Sequence, residues 1–155
     1  MTKIVVLLIF SFILLTTFAQ ESMEKVMEKR AKEMHRVIGL TDKEQWRKFV
    51  KENYTQALID KPMQARVQSS ENRPTSTSSS ETKSADNLEA KANMYQRLHN
   101  DFGNSKILSL KPTGEKMEMV LKNDMGMTGT FNLKFDKKSP YLIDGLGVEV
   151  GDVNR

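Results

Sequence analysis

Cysteine is absent from the 155-residue chain. The protein therefore has no disulfide framework, and no cysteine is available to accept a lipid after an export signal. Small eukaryotic secreted domains often depend on disulfides for their stability. If this chain is exported, its composition favours a bacterial envelope or secreted protein that folds on its hydrophobic core alone.

Histidine is scarce, and the two histidines, His35 and His99, lie far apart in the sequence. A metal site needs a cluster of ligands, and the sequence places no group of carboxylates around either one. His99 lies close to Asp101, but residues two apart on a helix point to different sides. The sequence therefore predicts no catalytic residue, no metal site and no cofactor.

Charge of one sign is not concentrated anywhere. The chain has 24 basic and 20 acidic residues, which give a formal net charge of +4, and the two signs alternate along it. This distribution is typical of a solvated surface and not of the basic patch that binds nucleic acid. We therefore expect no nucleic-acid partner.

Long apolar runs are absent except at the N-terminus, where Lys3 is followed by the apolar run 4–15. A positive charge before such a run is typical of a secretory signal. Thr17 and Ala19 are small residues at the positions that signal peptidase requires, which predicts a cut between Ala19 and Gln20. The run is shorter than the roughly 20 apolar residues of a spanning helix. We expect a periplasmic or secreted protein with no stable membrane span after cleavage; retention of the run as an anchor is the alternative.

After a signal peptide of residues 1–19, residues 20–63 are predicted to form a helical hairpin. The first helix has apolar residues at spacings of three and four: Met23, Val26, Met27, Ala31, Met34, Val37 and Ile38. Gly39 follows it, where a left-handed cap is expected. Thr41 and Glu44 then have the spacing of a capping box, which begins a second helix.

Residues 64–87 differ from the rest in composition. The stretch 69–84 contains no apolar residue and is rich in serine and threonine. Such a segment cannot bury enough surface to offset the entropy of ordering its backbone, about 1–2 kcal/mol per residue. The sequence therefore predicts a flexible linker here.

Residues 88–155 are predicted to form one helix followed by a four-stranded antiparallel sheet. Asn87 is the expected N-cap, and the helical stripe consists of Leu88, Lys91 or Ala92, Tyr95, Leu98 and Phe102. After Gly103 the apolar period changes from about 3.6 to two, in four short runs separated by turn residues. Such a pattern predicts an antiparallel meander, and the fold class is α+β.

Methionine is frequent, with ten residues. Methionine fills gaps in cores, and it also lines adaptable binding surfaces. A hairpin turn at 123–127 would expose Met125 and Met127 beside Met117 and Met119 of the preceding strand. These four methionines are the candidate partner surface.

The stretch Tyr95–Gly103, together with a meander that closes on Ser139–Val148, resembles small accessory domains of bacterial exported proteins. Some of these domains occur beside serine hydrolases of the β-lactamase type, and they are loosely similar to nuclear-transport-factor-2-like and cystatin-like cone folds. The resemblance covers less than half of the chain. It implies a cone-like fold more than an activity, because function depends on the site and not on the fold.

Together these observations predict an exported, non-enzymatic binding or accessory module for an unknown protein or small molecule. One alternative is a small pocket enzyme of cone-like fold that uses His99 or a buried carboxylate as a base. Another is an envelope-associated structural helper whose N-terminal helices tether it to a larger assembly.

Overall fold

The computed structural model describes residues 22–62 and 84–151. In chain order these residues form α1 (Met23–Ile38), α2 (Lys43–Asn53), α3 (Gln56–Asp60), α4 (Ser84–Phe102), β1 (Ser105–Thr113), β2 (Lys116–Asn123), β3 (Thr128–Phe135) and β4 (Ile143–Gly151). The predicted α+β class, with a four-stranded antiparallel sheet, is confirmed. The predicted signal peptide, its cut between Ala19 and Gln20, and the linker up to residue 83 lie outside the described residues. None of the helices in 22–62 and 84–151 has the length and apolar character needed to cross a bilayer.

The end of α1 shows why Gly39 is a glycine. Its backbone has φ −69° and ψ −12°, which is right-handed, so the left-handed cap predicted from the sequence is wrong. A side chain on Gly39 would place its first carbon 3.4 Å from the carbonyl oxygen of Gly103. The glycine therefore lets the ends of α1 and α4 approach each other closely, and its conformational freedom is not used.

The second helix begins one residue later than the capping box predicts. Asp42 is the N-cap, and its Oδ1 accepts a hydrogen bond of 2.9 Å from the Glu44 amide. Thr41 precedes the cap, and the Glu44 side chain pairs with Arg47 instead of reaching back. An aspartate is a good N-cap, and its charge favours the positive end of the helix dipole.

The fourth helix begins at Ser84, earlier than the predicted N-cap at Asn87. Asn87 is buried, and its Nδ2 donates to the carbonyl oxygen of Asp60 at 2.8 Å. Its side chain therefore connects α4 to the end of α3. The buried apolar side chains of α4 follow the predicted stripe: Ala92, Tyr95, Leu98 and Phe102.

The sheet is a simple meander in the order β1-β2-β3-β4, with every neighbouring pair antiparallel, as predicted. One face packs on the helices and is fully buried in the two central strands: Met117, Met119, Leu121, Phe131, Leu133 and Phe135. In register, Met119 lies opposite Phe131, and Phe131 lies opposite Val148. The ring of Phe102 meets Phe131 edge to face, with centroids 5.4 Å apart.

A single hydrophobic core combines side chains from the helices on both sides of residue 63 with those of the sheet. The Phe49 ring of α2, for example, lies 5.7 Å from the Tyr95 ring of α4. Each large side chain that is fully buried in this core contributes about 1.5–3 kcal/mol. The described residues 22–62 and 84–151 therefore share one hydrophobic core.

Gly129 in β3 provides a test of this packing. A Cβ at this position would lie 2.4 Å from Cζ of Phe102. We expect Gly129→Ala to lower the free energy of unfolding by about 1–3 kcal/mol, because overpacking forces the ring to move. Gly147→Ala in β4 is the matched control. The nearest atom to its Cβ is 3.8 Å away, and we expect a change within about 0.5 kcal/mol. Urea unfolding measures both, and equal losses in the two variants would contradict the close contact.

Candidate functional site

Both histidines hold elements together through backbone carbonyl groups. Nδ1 of His99 lies 2.8 Å from the carbonyl oxygen of Ile38, and Nε2 of His35 lies 3.0 Å from that of Ser105. A carbonyl oxygen only accepts, so each of these ring nitrogens carries the proton and donates it. No hydrogen bond joins His99 to the Asp101 side chain within the described part of the chain. These histidines therefore dock α4 on α1 and α1 on β1.

The four methionines predicted as a partner surface are not brought together on the surface. Met117 and Met119 are 1% and 0% exposed, because they share the sheet face of Leu121 that packs on the helices. Met125, at the hairpin turn, is 75% exposed, and Met127 is half-buried. A surface made of all four methionines is therefore not formed.

The structure instead shows a cleft of about 320 Å³ between the helices and the first part of β4, which we call the β4 cleft. Its lining includes Tyr54, Leu58, Lys61, Lys91, Met94 and Leu146. The volume lies at the lower end of the range for small-molecule pockets, about 300–1,000 Å³. Tyr54 forms an isolated parallel bridge with Ile143, and the Thr55 amide donates to the Ile143 carbonyl at 2.9 Å. These backbone contacts fix β4 against the start of α3, so the cleft is preformed.

Lys91 is the buried cation of the β4 cleft. Its side chain is 4% exposed, and Nζ donates to the carbonyl oxygens of Ile59 and Lys61, at 3.0 and 2.6 Å. Burial lowers the pKa of this amine, and the nearby Asp60 carboxylate partly opposes that effect. The carbonyl groups at the end of a helix have no donors within that helix. At the end of the five-residue α3, Lys91 supplies such donors.

The sequence contained one signal for Lys91. The residue falls on the apolar stripe of α4, one position before Ala92, where a lysine is unexpected. A buried lysine is almost always paired, so its position on the stripe implies acceptors. Periodicity gives no indication that these acceptors are the backbone carbonyl groups of α3.

Two tyrosine hydroxyl groups meet behind the cleft. The Oη atoms of Tyr54 and Tyr95 lie 3.0 Å apart, and the two residues are 3% and 0% exposed. Burial raises the pKa of both phenols. Each phenol is therefore neutral near pH 7, and the pair acts as a buried hydrogen bond between α2 and α4.

Asp144 adds a carboxylate that is already neutralised. Its Oδ1 accepts from Thr55 Oγ1 at 3.1 Å, and its Oδ2 accepts from Lys134 Nζ at 3.2 Å. The remaining charge in the cleft is that of the two lysines, Lys61 at the rim and Lys91 inside. The cleft therefore offers apolar walls and a positive potential, which suits an anion attached to an apolar group.

A second depression, which we call the α1 groove, has a volume of about 1060 Å³ and lies between α1, the end of α2 and the loop before β4. Arg30 of α1 connects its walls. Nη1 donates to Asn53 Oδ1, and Nη2 donates to the carbonyl oxygen of Pro140 at 2.9 Å. The Nε atom is buried and has no hydrogen-bond partner among the described residues. Sequence reasoning gave no signal for Arg30, because its partners are 23 and 110 residues away.

Metal chemistry has no support in the part of the chain that the structure describes, since 22–62 and 84–151 contain no group of three His, Cys, Asp or Glu side chains arranged to hold an ion. The β4 cleft is lined mostly by apolar side chains, with a few polar groups. Its polar groups are a capped amine, a neutralised carboxylate and a buried phenol pair.

The tyrosine pair predicts a loss of stability at alkaline pH. The unfolded chain releases phenolic protons near pH ~10, while the native state retains them, so the unfolded state binds fewer protons and stability falls as pH rises. The contribution is fully present below pH ~10, and above it each tyrosine lowers the free energy of unfolding by about 1.4 kcal/mol per pH unit.

Urea unfolding at a series of pH values measures this slope. The double variant Tyr54→Phe/Tyr95→Phe should lose the part of the slope that the two phenols cause, while the lysines, common to both proteins, cancel in the comparison. An identical slope in the two proteins would show that the phenols ionise freely in the native state.

No family model, curated protein or solved structure matches the chain.

Proposed function

We propose that this protein is an exported binding module without enzymatic activity, and that its ligand enters the β4 cleft. The observation that carries this proposal is a preformed cleft of about 320 Å³ with apolar walls and a buried cation. Such a combination, a mostly apolar pocket with few polar groups at fixed positions, is typical of a ligand site.

The lining indicates the class of ligand. Leu58, Met94 and Leu146 supply apolar contact area, and Lys61 and Lys91 supply positive charge. Because Lys134 already neutralises Asp144, the cleft has no free carboxylate that would repel an acid. We expect a small molecule with an apolar body and one carboxylate or similar anionic group.

Binding is favoured over catalysis by the roles that the titratable groups already have. The Lys91 amine is occupied by two backbone carbonyl groups. The proton on Nδ1 of His99 holds α1, which leaves Nε2 as the ring nitrogen able to accept a proton. A general base needs a free nitrogen or oxygen within hydrogen-bond reach of its substrate. His99 does not line the β4 cleft, so the enzyme alternative has no support from this geometry.

Export rests on the N-terminal pattern of Lys3, the apolar run 4–15 and the small residues before Gln20. We expect the intact mass of protein purified from the exported fraction of its own host to correspond to residues 20–155. A mass that still includes Met1 would contradict cleavage and favour the anchor alternative. The same spectrum, recorded under native conditions, reports any ligand that stays bound.

Octanoate tests the β4 cleft, because it joins an apolar chain to a carboxylate. We expect it to shift the amide signals of residues that line the cleft in an NMR titration. Leu146→Trp fills the cleft and should abolish the shifts, because the larger ring occupies the apolar volume. Lys61→Ala should weaken octanoate and leave neutral octanol unchanged, because only the acid interacts with the charge.

Val148→Trp is the matched control. Val148 lies on the same face of the same strand, opposite Phe131, but does not line the cleft. Octanoate should bind this variant as it binds the original protein. If the two tryptophan variants bind octanoate equally, the ligand does not enter the cleft.

A further inference from the structure

The α1 groove carries a row of cations that the β4 cleft does not explain. Four exposed basic residues, Lys25, Lys29, Lys32 and Arg36, follow one another along α1 at spacings of four, three and four. Residues at these spacings lie on the same side of a helix. Positive charges therefore recur along the helical wall of the groove.

The pairing of these cations is incomplete. Lys32 pairs with Glu28 at 2.5 Å, and Arg36 pairs with Glu33 at 2.7 Å. Lys25 and Lys29 have no carboxylate partner among residues 22–62 and 84–151. One end of the row is thus internally neutralised, and the other end has no counter-charge from the described residues.

Arg30 adds a cation inside the groove that has no counter-charge among residues 22–62 and 84–151. Its guanidinium bonds to a neutral amide oxygen and a neutral carbonyl oxygen, and its Nε is buried without a partner. Burial lowers the pKa of this group, and no carboxylate opposes the effect. Guanidinium groups held in this way normally pair with a carboxylate. Among the described residues no carboxylate pairs with this guanidinium, and a carboxylate of another molecule would supply the counter-charge.

We propose that the α1 groove binds a short acidic segment of a partner protein, with carboxylates on the Lys25–Lys29 end and beside Arg30. The row from Lys25 to Arg36 spans about 16 Å at about 1.5 Å per residue. An extended peptide of about five residues covers that length. Tyr141 of the loop before β4 also lines the groove, and we expect its ring to offer an apolar surface for one side chain of the segment.

The acids in the groove argue for a peptide over a nucleic acid or a membrane. Glu28 and Glu33 line the groove between the cations, so a continuous row of phosphates would meet repulsion at each turn of the helix. A lipid surface is flat and does not reach a half-buried guanidinium such as that of Arg30. A peptide can place its carboxylates only where the cations are free.

A fluorescently labelled six-residue peptide, made of glutamates around one phenylalanine, is the probe. Fluorescence anisotropy should show that it binds the purified protein and that raising the salt concentration weakens binding. The same peptide with lysine in place of each glutamate should not bind. Lys29→Glu should weaken binding by about tenfold, because it reverses a charge in the groove.

Lys122→Glu is the matched control, since Lys122 is exposed on β2, outside the groove, and the substitution changes the net charge by the same amount. We expect its affinity to stay within about twofold, because exposed charges farther apart than a Debye length are largely screened. Both lysines are exposed, so neither variant should lose stability, and urea unfolding checks this.

Three outcomes would overturn the proposal. Equal weakening by Lys29→Glu and Lys122→Glu would show that only the overall charge matters. Binding of the lysine peptide with the same affinity would remove the role of the carboxylates. Tighter binding to phosphatidylserine vesicles or to single-stranded oligothymidine, with the same sensitivity to Lys29→Glu, would assign the groove to a lipid or a nucleic acid.

Discussion

The last turn of α1 is the point on which the positions of the other elements depend. Its carbonyl groups are used by three different parts of the chain: Trp46 Nε1 donates to Val37 at 3.0 Å, His99 donates to Ile38, and the Gly39 amide donates to His35. A helix end leaves such groups unsatisfied unless something provides donors. In this cysteine-free chain, side chains from α2 and α4 provide them, and the same bonds fix the angle at which both helices meet α1. Val37 and Ile38 of this turn also belong to the hydrophobic core.

The sequence was sufficient to predict the class of the fold, because each period in the apolar pattern comes from local geometry. A change from 3.6 to two residues identifies α4 and the four strands without reference to anything distant. The sites depend on contacts of the opposite kind. Lys91 and Asn87 bind backbone carbonyl groups of α3, and Arg30 binds the carbonyl of Pro140. A backbone acceptor has no sequence signature, so these contacts are not predictable from residue types.

The error about Met117 and Met119 has a related cause. Alternation correctly places them on one face of β2 with Leu121, but alternation alone does not say which face of a sheet the helices cover. The expectation that Met125 and Met127 continue the surface of Met117 and Met119 fails, because Met125 lies beyond the end of β2. The helices cover the apolar face of the sheet, which buries Met117 and Met119. Met125, at the tip of the hairpin between β2 and β3, is exposed.

The basic side chains of this protein fall into two groups. Arg47 bonds to Glu89 of α4 at 2.7 Å and also to Glu44, so it connects two helices within a network of opposite charges. Arg30, Lys25 and Lys29 have no such compensation among the described residues. An unpaired and partly desolvated charge such as that of Arg30 costs stability, and the acidic partner proposed for the α1 groove would offset that cost.

The burial of the methionines also determines how the protein responds to oxidants. Sulfoxide formation follows the accessibility of the sulfur atom, and Met125 is 75% exposed, whereas Met27, Met34, Met117 and Met119 are at most 1% exposed. A peroxide therefore reaches Met125 in the folded protein and reaches those four only when the core opens. Because Met125 lies at a turn and packs against nothing in the core, its sulfoxide leaves the fold intact. Oxidation of Met125 at the hairpin tip therefore does not disrupt the core, whereas oxidation of the four buried methionines would.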